Sequence, residues 1–364
     1  MILEEYSNRI RPLDRLAETR DVRLGLFGEV GSVLATAKKK SRDGMSYDYM
    51  SAVTEELGDT AWYLFRLMDR LGFSIANLID EHFSEATDFV YTATDISSGP
   101  VSRTPLLGDV NFNAAVCALA DAAANLLKER SDREQMKSEL QQFFVSYVRL
   151  VKEIGIDFSS ILKANLEKTE GRFLLPDLSA LPTFDEKFED DERIPDDFSI
   201  SIIERKNGKA YLKWNGVFIG DPLTDNIEKR DGYRFHDVFH MAYAAILHWS
   251  PTFRALIRHK RKSDPKCDEE QDSGRAIVIE EGLSAWIFSI AKGDKFFLDR
   301  DHLSFDLLKG VRQFVSGYEV EECPLSLWER AILEGYRVFR ELTTRKTGVI
   351  IGNRRLRSIE FRRE

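Results

Sequence analysis

Apolar residues recur at three- and four-residue spacing from residue 21 to 172, and that period is the tightest constraint on what this chain can fold into. It predicts helices over 22–38, 47–71, 74–92, 111–129, 132–154 and 157–171. Stop and start signals fall between them: Gly72 closes one helix before Ser74 caps the next, and Gly155 and Asp157 repeat that corner. The two corners are alike, LGFSIANLI from Leu71 and IGIDFSSIL from Ile154, which sets a register of 83 residues between two halves. The expected fold is mainly α, with a tandem, pseudo-dimeric helical bundle over residues 1–173.

The first half carries acids that no local partner answers. Glu29 lies in GLFGEVGSVL, and Glu55, Glu56 and Asp59 lie in AVTEELGDTAWYLF. Residues i and i+3 share a helix face, so Glu56 and Asp59 point the same way. If the two helices pack antiparallel, Glu29 converges on that pair. Two like charges about 4 Å apart repel by roughly 4 kcal/mol at an effective dielectric near 20, so the cluster calls for a cation. Carboxylate oxygens with room for water and phosphate suit Mg²⁺, with Mn²⁺ as the alternative. The competing reading is three solvated acids on helix surfaces.

The order GEVGSVL, lysine-rich turn, EELGDTAWYL resembles the paired acidic helices of the MazG-like, all-α nucleoside triphosphate pyrophosphohydrolases, with their ExxE and ExxD motifs, over roughly residues 15 to 173. Glu56-Leu57-Gly58-Asp59 matches the second motif in full. In the first, Glu29 matches the leading glutamate and Ser32 stands where the closing one is expected. The resemblance implies metal ligation by Glu29, Glu56 and Asp59 and catalysis by these three with Glu55 orienting a water. The implied reaction takes an NTP or dNTP to the monophosphate and pyrophosphate. Ser32 leaves three outcomes open: a single ion, a substitute ligand such as Glu55, or lost catalysis, the last making the protein a nucleotide sensor that controls the rest of the chain or a partner.

Carried through the 83-residue register, Glu56 falls opposite Glu139 and Asp59 opposite Gln142; a shorter connection sets Asp121 opposite Glu29 and Ala124 opposite Ser32. The second half has lost most of its acids. In the other direction, Asn165, Lys168 and Arg172 answer to His82, Glu85 and Phe89. Complementary losses predict one composite site, with metal ligands from the first half and donors to the substrate from the second. The NxxKxxxR helix also resembles the closing, substrate-contacting helix of MazG-like enzymes. Against this, Lys and Arg near a helix C-terminus are favoured by its dipole alone. Lys38, in the run Lys38 to Lys40, and Trp62, beside Tyr63, complete the substrate-binding expectation; a solvated lysine and a core aromatic are the competing readings.

Residues 174–198 hold three prolines and nine acids against two bases, the composition of a linker or of a strap crossing the surface. The period then changes. SISIIERKNGKAYLKWNGVFIG alternates in β-rich runs around Asn207-Gly208 and Asn215-Gly216, two hairpin signals, before helices resume from about Gly232 to Glu341. An Arg-rich run at 345–363 predicts a final hairpin around Gly352-Asn353, so residues 199–364 read as a helical C-terminal domain with small β-hairpins.

Five of the six histidines lie between 236 and 302. His236 and His240 stand one turn apart and, with Asp237 and with Glu280 and Glu281 opening another helix, form a candidate second divalent-metal site. The alternative is a polar helical core in which Asp237 caps or pairs with Arg234. Arg254, Arg258, His259, Lys260, Arg261 and Lys262 are either phosphate contacts or a solvated loop. GDPLTDN, RFHDVFH and IEEGLSAW resemble the C-terminal domain sometimes fused to MazG-like pyrophosphohydrolases; a metal-dependent hydrolase acting there on nucleotides is a third functional reading. A net charge of −9 argues against general polyanion binding, which confines any nucleic-acid contact to the basic C-terminal segment. Three scattered cysteines exclude a disulfide framework and fit a reducing cytoplasm, and no apolar run of about 18 residues predicts a membrane span. The expected partner is a nucleotide substrate, and self-association into a homo-oligomer is left open.

Overall fold

The helical period is realised in a computed structural model of the chain, which describes residues 3–74, 78, 110–129, 131–174 and 177–363. The expected helix over 74–92, with His82, Glu85 and Phe89, lies outside the described residues. The chain divides into two units, Met1–Leu174 and Leu175–Glu364.

In the first unit α1 (Leu3–Ile10) precedes a long hairpin of α2 (Thr19–Asp43) and α3 (Tyr49–Arg70). A second pair follows, α4 (Val110–Leu126) and α5 (Arg133–Ile154), then α6 (Phe158–Phe173). The caps are those the residue types demand. Asp48, Asp132 and Asp157 accept backbone N–H groups at the starts of α3, α5 and α6, and Gly155 closes α5 with φ +79°. α3 packs against both α2 and α6, and α4 against both α2 and α5. One apolar core runs through all of them, from Tyr6 and Val22 to Phe65, Tyr147 and Leu166. Arg23, buried in α2, donates to the carbonyls of Leu126 and Lys128 and so satisfies the frayed end of α4 from across the core.

The second unit is built on an antiparallel five-stranded sheet, β1 (Asp197–Glu204), β2 (Ala210–Trp214), β3 (Val217–Leu223), β4 (Thr347–Asn353) and β5 (Ser358–Arg362), in the order β3-β2-β1-β4-β5. Asn215 and Gly216, both at positive φ, make the two-residue turn that sets Trp214 opposite Val217. The final hairpin forms, but it turns at Arg354–Arg357, after Gly352-Asn353 rather than around it. The helices are α7 (Asp237–Ile246), α8 (Pro251–Ile257), α9 (Gly274–Gly293), α10 (Phe305–Phe314) and α11 (Leu325–Arg345); α7 and α11 cover β4 and β5.

Two expectations are corrected here. The acidic stretch 174–198 is not a linker, because from Leu175 it belongs to the second unit, with Asp185, Phe188 and Ile194 buried. Asp185 accepts from the backbone N–H of Ile194 (2.9 Å), from Arg254 (2.7 Å) and from Arg354 (2.6 Å). The basic run 254–262 is only in part a set of solvated cations: Arg258 and Lys262 are exposed, two other arginines are not. Arg254 and Arg261 are almost wholly buried, and Arg261 pairs with Asp272 and Glu319, both at 2.6 Å. Local composition counted these charges as surface; three-dimensional pairing removes them from water.

Candidate functional site

The α2–α3 hairpin does what the acid spacing anticipates: ligand oxygens of Glu29, Glu56 and Asp59 lie within 4.8 Å of one another. The cost registers on Glu29. Burial, with the charges of Asp59 and Glu56, pushes its carboxyl up to about 7 although Lys168 pulls the other way. Glu56 is raised as well, first by burial and then by Asp59 and Glu55, and it shares a hydrogen bond with Glu29.

The second half completes the cluster through α6. Asn165 Nδ2 donates to Asp59 Oδ1 (2.9 Å), and Lys168 Nζ lies 2.6 Å from Asp59 Oδ2 and 3.1 Å from Glu55 Oε1. Gly58, within the EELGD motif, permits this approach. A Cβ there would stand 2.9 Å from Asn165 Cβ, too close for two packed helices to keep this spacing. Asn165 is held in turn by the buried hydroxyl of Tyr6, which donates to Asn165 Oδ1 at 2.7 Å. That bond fixes the amide so that its NH₂ faces Asp59. Tyr147 donates to the carbonyl of Leu57 (2.8 Å), tying α5 to the same turn of α3.

Neither tyrosine is signalled by the sequence, since each reads as an ordinary core aromatic. The remaining substrate-binding expectations divide. Arg172 lies one turn beyond Lys168, its guanidinium 4.9 Å from the Phe173 ring, and it lowers the raised pKa of Tyr63. Lys38 is exposed nine residues beyond Glu29, about 13 Å along α2 at 1.5 Å per residue, and is not brought to the acids. Trp62 is a core residue, 8% exposed and edge-on to Tyr63 at 4.9 Å.

In the second unit the histidine cluster also assembles. One ligand atom from each of His236, His240 and Glu281 lies within 4.8 Å of the others. Glu280 and Glu281 sit in the middle of α9 rather than opening a helix, and they play different parts. Glu280 is wholly buried, accepting from His240 Nδ1 (2.9 Å), Ser250 Oγ (2.6 Å) and the Thr252 N–H (2.8 Å). Glu281 is partly exposed, 3.3 Å from His240 Nε2 and 3.5 Å from His236 Nε2. Burial opposes a charge on His240, yet Glu280 and Glu281 more than offset it and raise its pKa well above the usual histidine value. Asp237 is buried with its pKa raised by that burial, and its carboxylate lies 3.8 Å from His236 Nε2. It does not pair with Arg234, which is taken by Asp225 and Glu204.

A family model described as the MazG C-terminal domain matches residues 179–364, about half of the chain. The chain belongs to that family. The match begins inside the stretch whose composition suggested a linker, in keeping with the place of Asp185 in this unit's core. Comparison with curated proteins and with solved structures yields no match. Among the described residues no helix is long and apolar enough to cross a membrane.

Proposed function

We propose that the first unit of this MazG-related protein is a Mg²⁺-dependent nucleoside triphosphate pyrophosphohydrolase, cleaving between the α- and β-phosphates. The observation that carries the reading is the convergence of Glu29, Glu56 and Asp59 with Asn165 and Lys168, since an all-oxygen cluster this crowded with negative charge suits a hard dication. The donor set fits: three carboxylates, one of them raised to about 7 by burial and by the charges of the other two, gather negative charge for an ion to neutralise.

Glu29, Glu56 and Asp59 would hold Mg²⁺, with Mn²⁺ as a substitute, and the ion when bound supplies Lewis-acid charge neutralisation at the phosphates and a polarised water. The chain's own groups do the rest. Tyr6 orients Asn165, and Asn165 holds Asp59 by donating to its Oδ1. Lys168 and Arg172 bring positive charge to the same face of α6, where charge develops on the cleaved anhydride. Glu55, held by Lys168, orients the attacking water.

The test is pyrophosphate release from a panel of NTPs and dNTPs with Mg²⁺. Turnover unaffected by Glu56→Gln and Asp59→Asn would sink the assignment. Ser32 favours one other reading, a nucleotide sensor that binds without turnover. Mg²⁺-dependent nucleotide binding with no product, converted to turnover by Ser32→Glu, distinguishes it.

A further inference from the structure

The histidine cluster of the second unit has a directionality that a polar core does not require. His236 Nδ1 lies 2.9 Å from the carbonyl oxygen of Tyr233. A carbonyl only accepts, so Nδ1 carries the proton and, in the neutral ring, the lone pair is on Nε2. His240 Nδ1 is committed in the same way to Glu280, whose oxygens also receive Ser250 and Thr252. Both imidazoles thus present Nε2 to the point where the Glu281 carboxylate stands. His240 is 0% exposed, and its Nε2 makes no hydrogen bond although Glu281 is near. A buried nitrogen 3.3 Å from a carboxylate but out of line for a hydrogen bond, and facing a second imidazole, leaves a point between the three groups that suits an ion.

We propose that His236 Nε2, His240 Nε2 and Glu281 bind a first-row transition-metal dication of the Zn²⁺ or Co²⁺ class, with Glu280 as the positioning residue behind His240. Two imidazole nitrogens select such a cation over Mg²⁺, which prefers oxygen. The carboxylate at the far nitrogen of His240 is the outer-layer partner that metal-bound histidines commonly have. Three protein ligands are the count of a site that keeps a position for water or substrate. The cluster also reaches solvent: the side chains of Glu281 and His236 are 37% and 11% exposed.

The experiment uses the full chain, stripped with a chelator and titrated with Co²⁺ while the visible ligand-field bands are recorded, with competition by Zn²⁺. One Co²⁺ per chain with nitrogen-ligated bands is expected. The signal persists in the Glu56→Gln, Asp59→Asn double variant, which disables the first unit's cluster, and it disappears in Glu281→Gln and in His236→Ala. Glu281 is partly exposed and His236 is buried against Tyr233, so circular dichroism checks that both variants keep their fold and Glu281→Gln carries the test if His236→Ala does not. Glu280→Gln retains the same bands with affinity lowered about 10- to 100-fold, the mark of a positioning role. Absence of the bands, their survival in both Glu281→Gln and His236→Ala, or their loss in the first-unit double variant would overturn the proposal and leave an internal imidazolium–carboxylate ion pair.

Discussion

The two units of this chain gather acidic side chains to opposite ends. In the second, buried acids are answered by arginines: Asp185 by Arg254 and Arg354, Asp272 by Arg261. In the first, Glu29, Glu56 and Asp59 meet beside Lys168, which pairs with Asp59, and burial with the mutual repulsion of the acids pushes the Glu29 carboxyl to about 7. A compensated acid holds a fold together, whereas an under-compensated one stores repulsion that an incoming ion relieves. The same residue type therefore carries opposite signs of stability in the two places, and substitutions should reveal it.

The largest effect is expected at Asp185. Asp185→Ala removes the carboxylate shared by two buried guanidinium groups and should cost the second unit about 3–5 kcal/mol, read from denaturant unfolding. An unchanged unfolding midpoint would break the contrast. Next comes Glu56→Gln, which should lower pyrophosphate release about 10²- to 10³-fold, the scale on which removal of one electrostatic group from a site acts. Without Mg²⁺ the same variant should melt no earlier than the parent chain, because it removes a repelled charge.

A smaller effect is expected at the helix contact. Gly58→Ala inserts a methyl 2.9 Å from Asn165 Cβ and should cost about 1–3 kcal/mol by overpacking, with weaker nucleotide binding in equilibrium titration as Asn165 and Lys168 are pushed back. The smallest is a pH effect. The unfolded Glu29 carboxyl loses its proton near its ordinary 4.5 while the folded one keeps it to about 7, so its contribution to stability is full below pH 4.5 and is lost as the pH rises through 7. Metal-free chain should show the first unit's melting temperature falling over that window, and Mg²⁺ should restore more of it at pH 7.5 than at pH 5.5. A melting temperature independent of both would mean that Glu29 is not crowded.

Much of the first unit is legible from the residues, because a helix writes its neighbours into its spacing. The i, i+3 relation of Glu56 and Asp59 and the 83-residue register both point to geometry that the structure displays, including the approach of Asn165 and Lys168 to Asp59. Tyr6 and Tyr147 are not legible, since a hydroxyl that reaches 159 or 90 residues along the chain leaves no local trace. Lys38 and Trp62 show a limit of motif proximity: helix rise sets Lys38 about 13 Å along α2 from Glu29, and Trp62, one turn from Asp59, packs into the core. In the second unit the histidine pair is visible as i, i+4, while the unequal roles of adjacent Glu280 and Glu281 depend on which face of α9 meets Ser250. Asp185 is the plainest failure, an acid amid acids whose partners lie 69 and 169 residues later.

The strand order has a consequence in time. β1 lies between β2 and β4, with Asp197 facing Asn353, so the centre of the second unit's sheet is closed by a strand made some 150 residues later. At about 5–20 residues per second, a ribosome takes on the order of ten seconds to supply it. During that interval the β1–β3 meander can form but presents an open edge, and Asp185 waits for Arg354. The first unit has no such debt to later sequence: its two helix pairs and α6 are complete by Phe173, before β1 is begun. A nascent chain halted near residue 330 should therefore display a protease-resistant first unit followed by a second that is still cut.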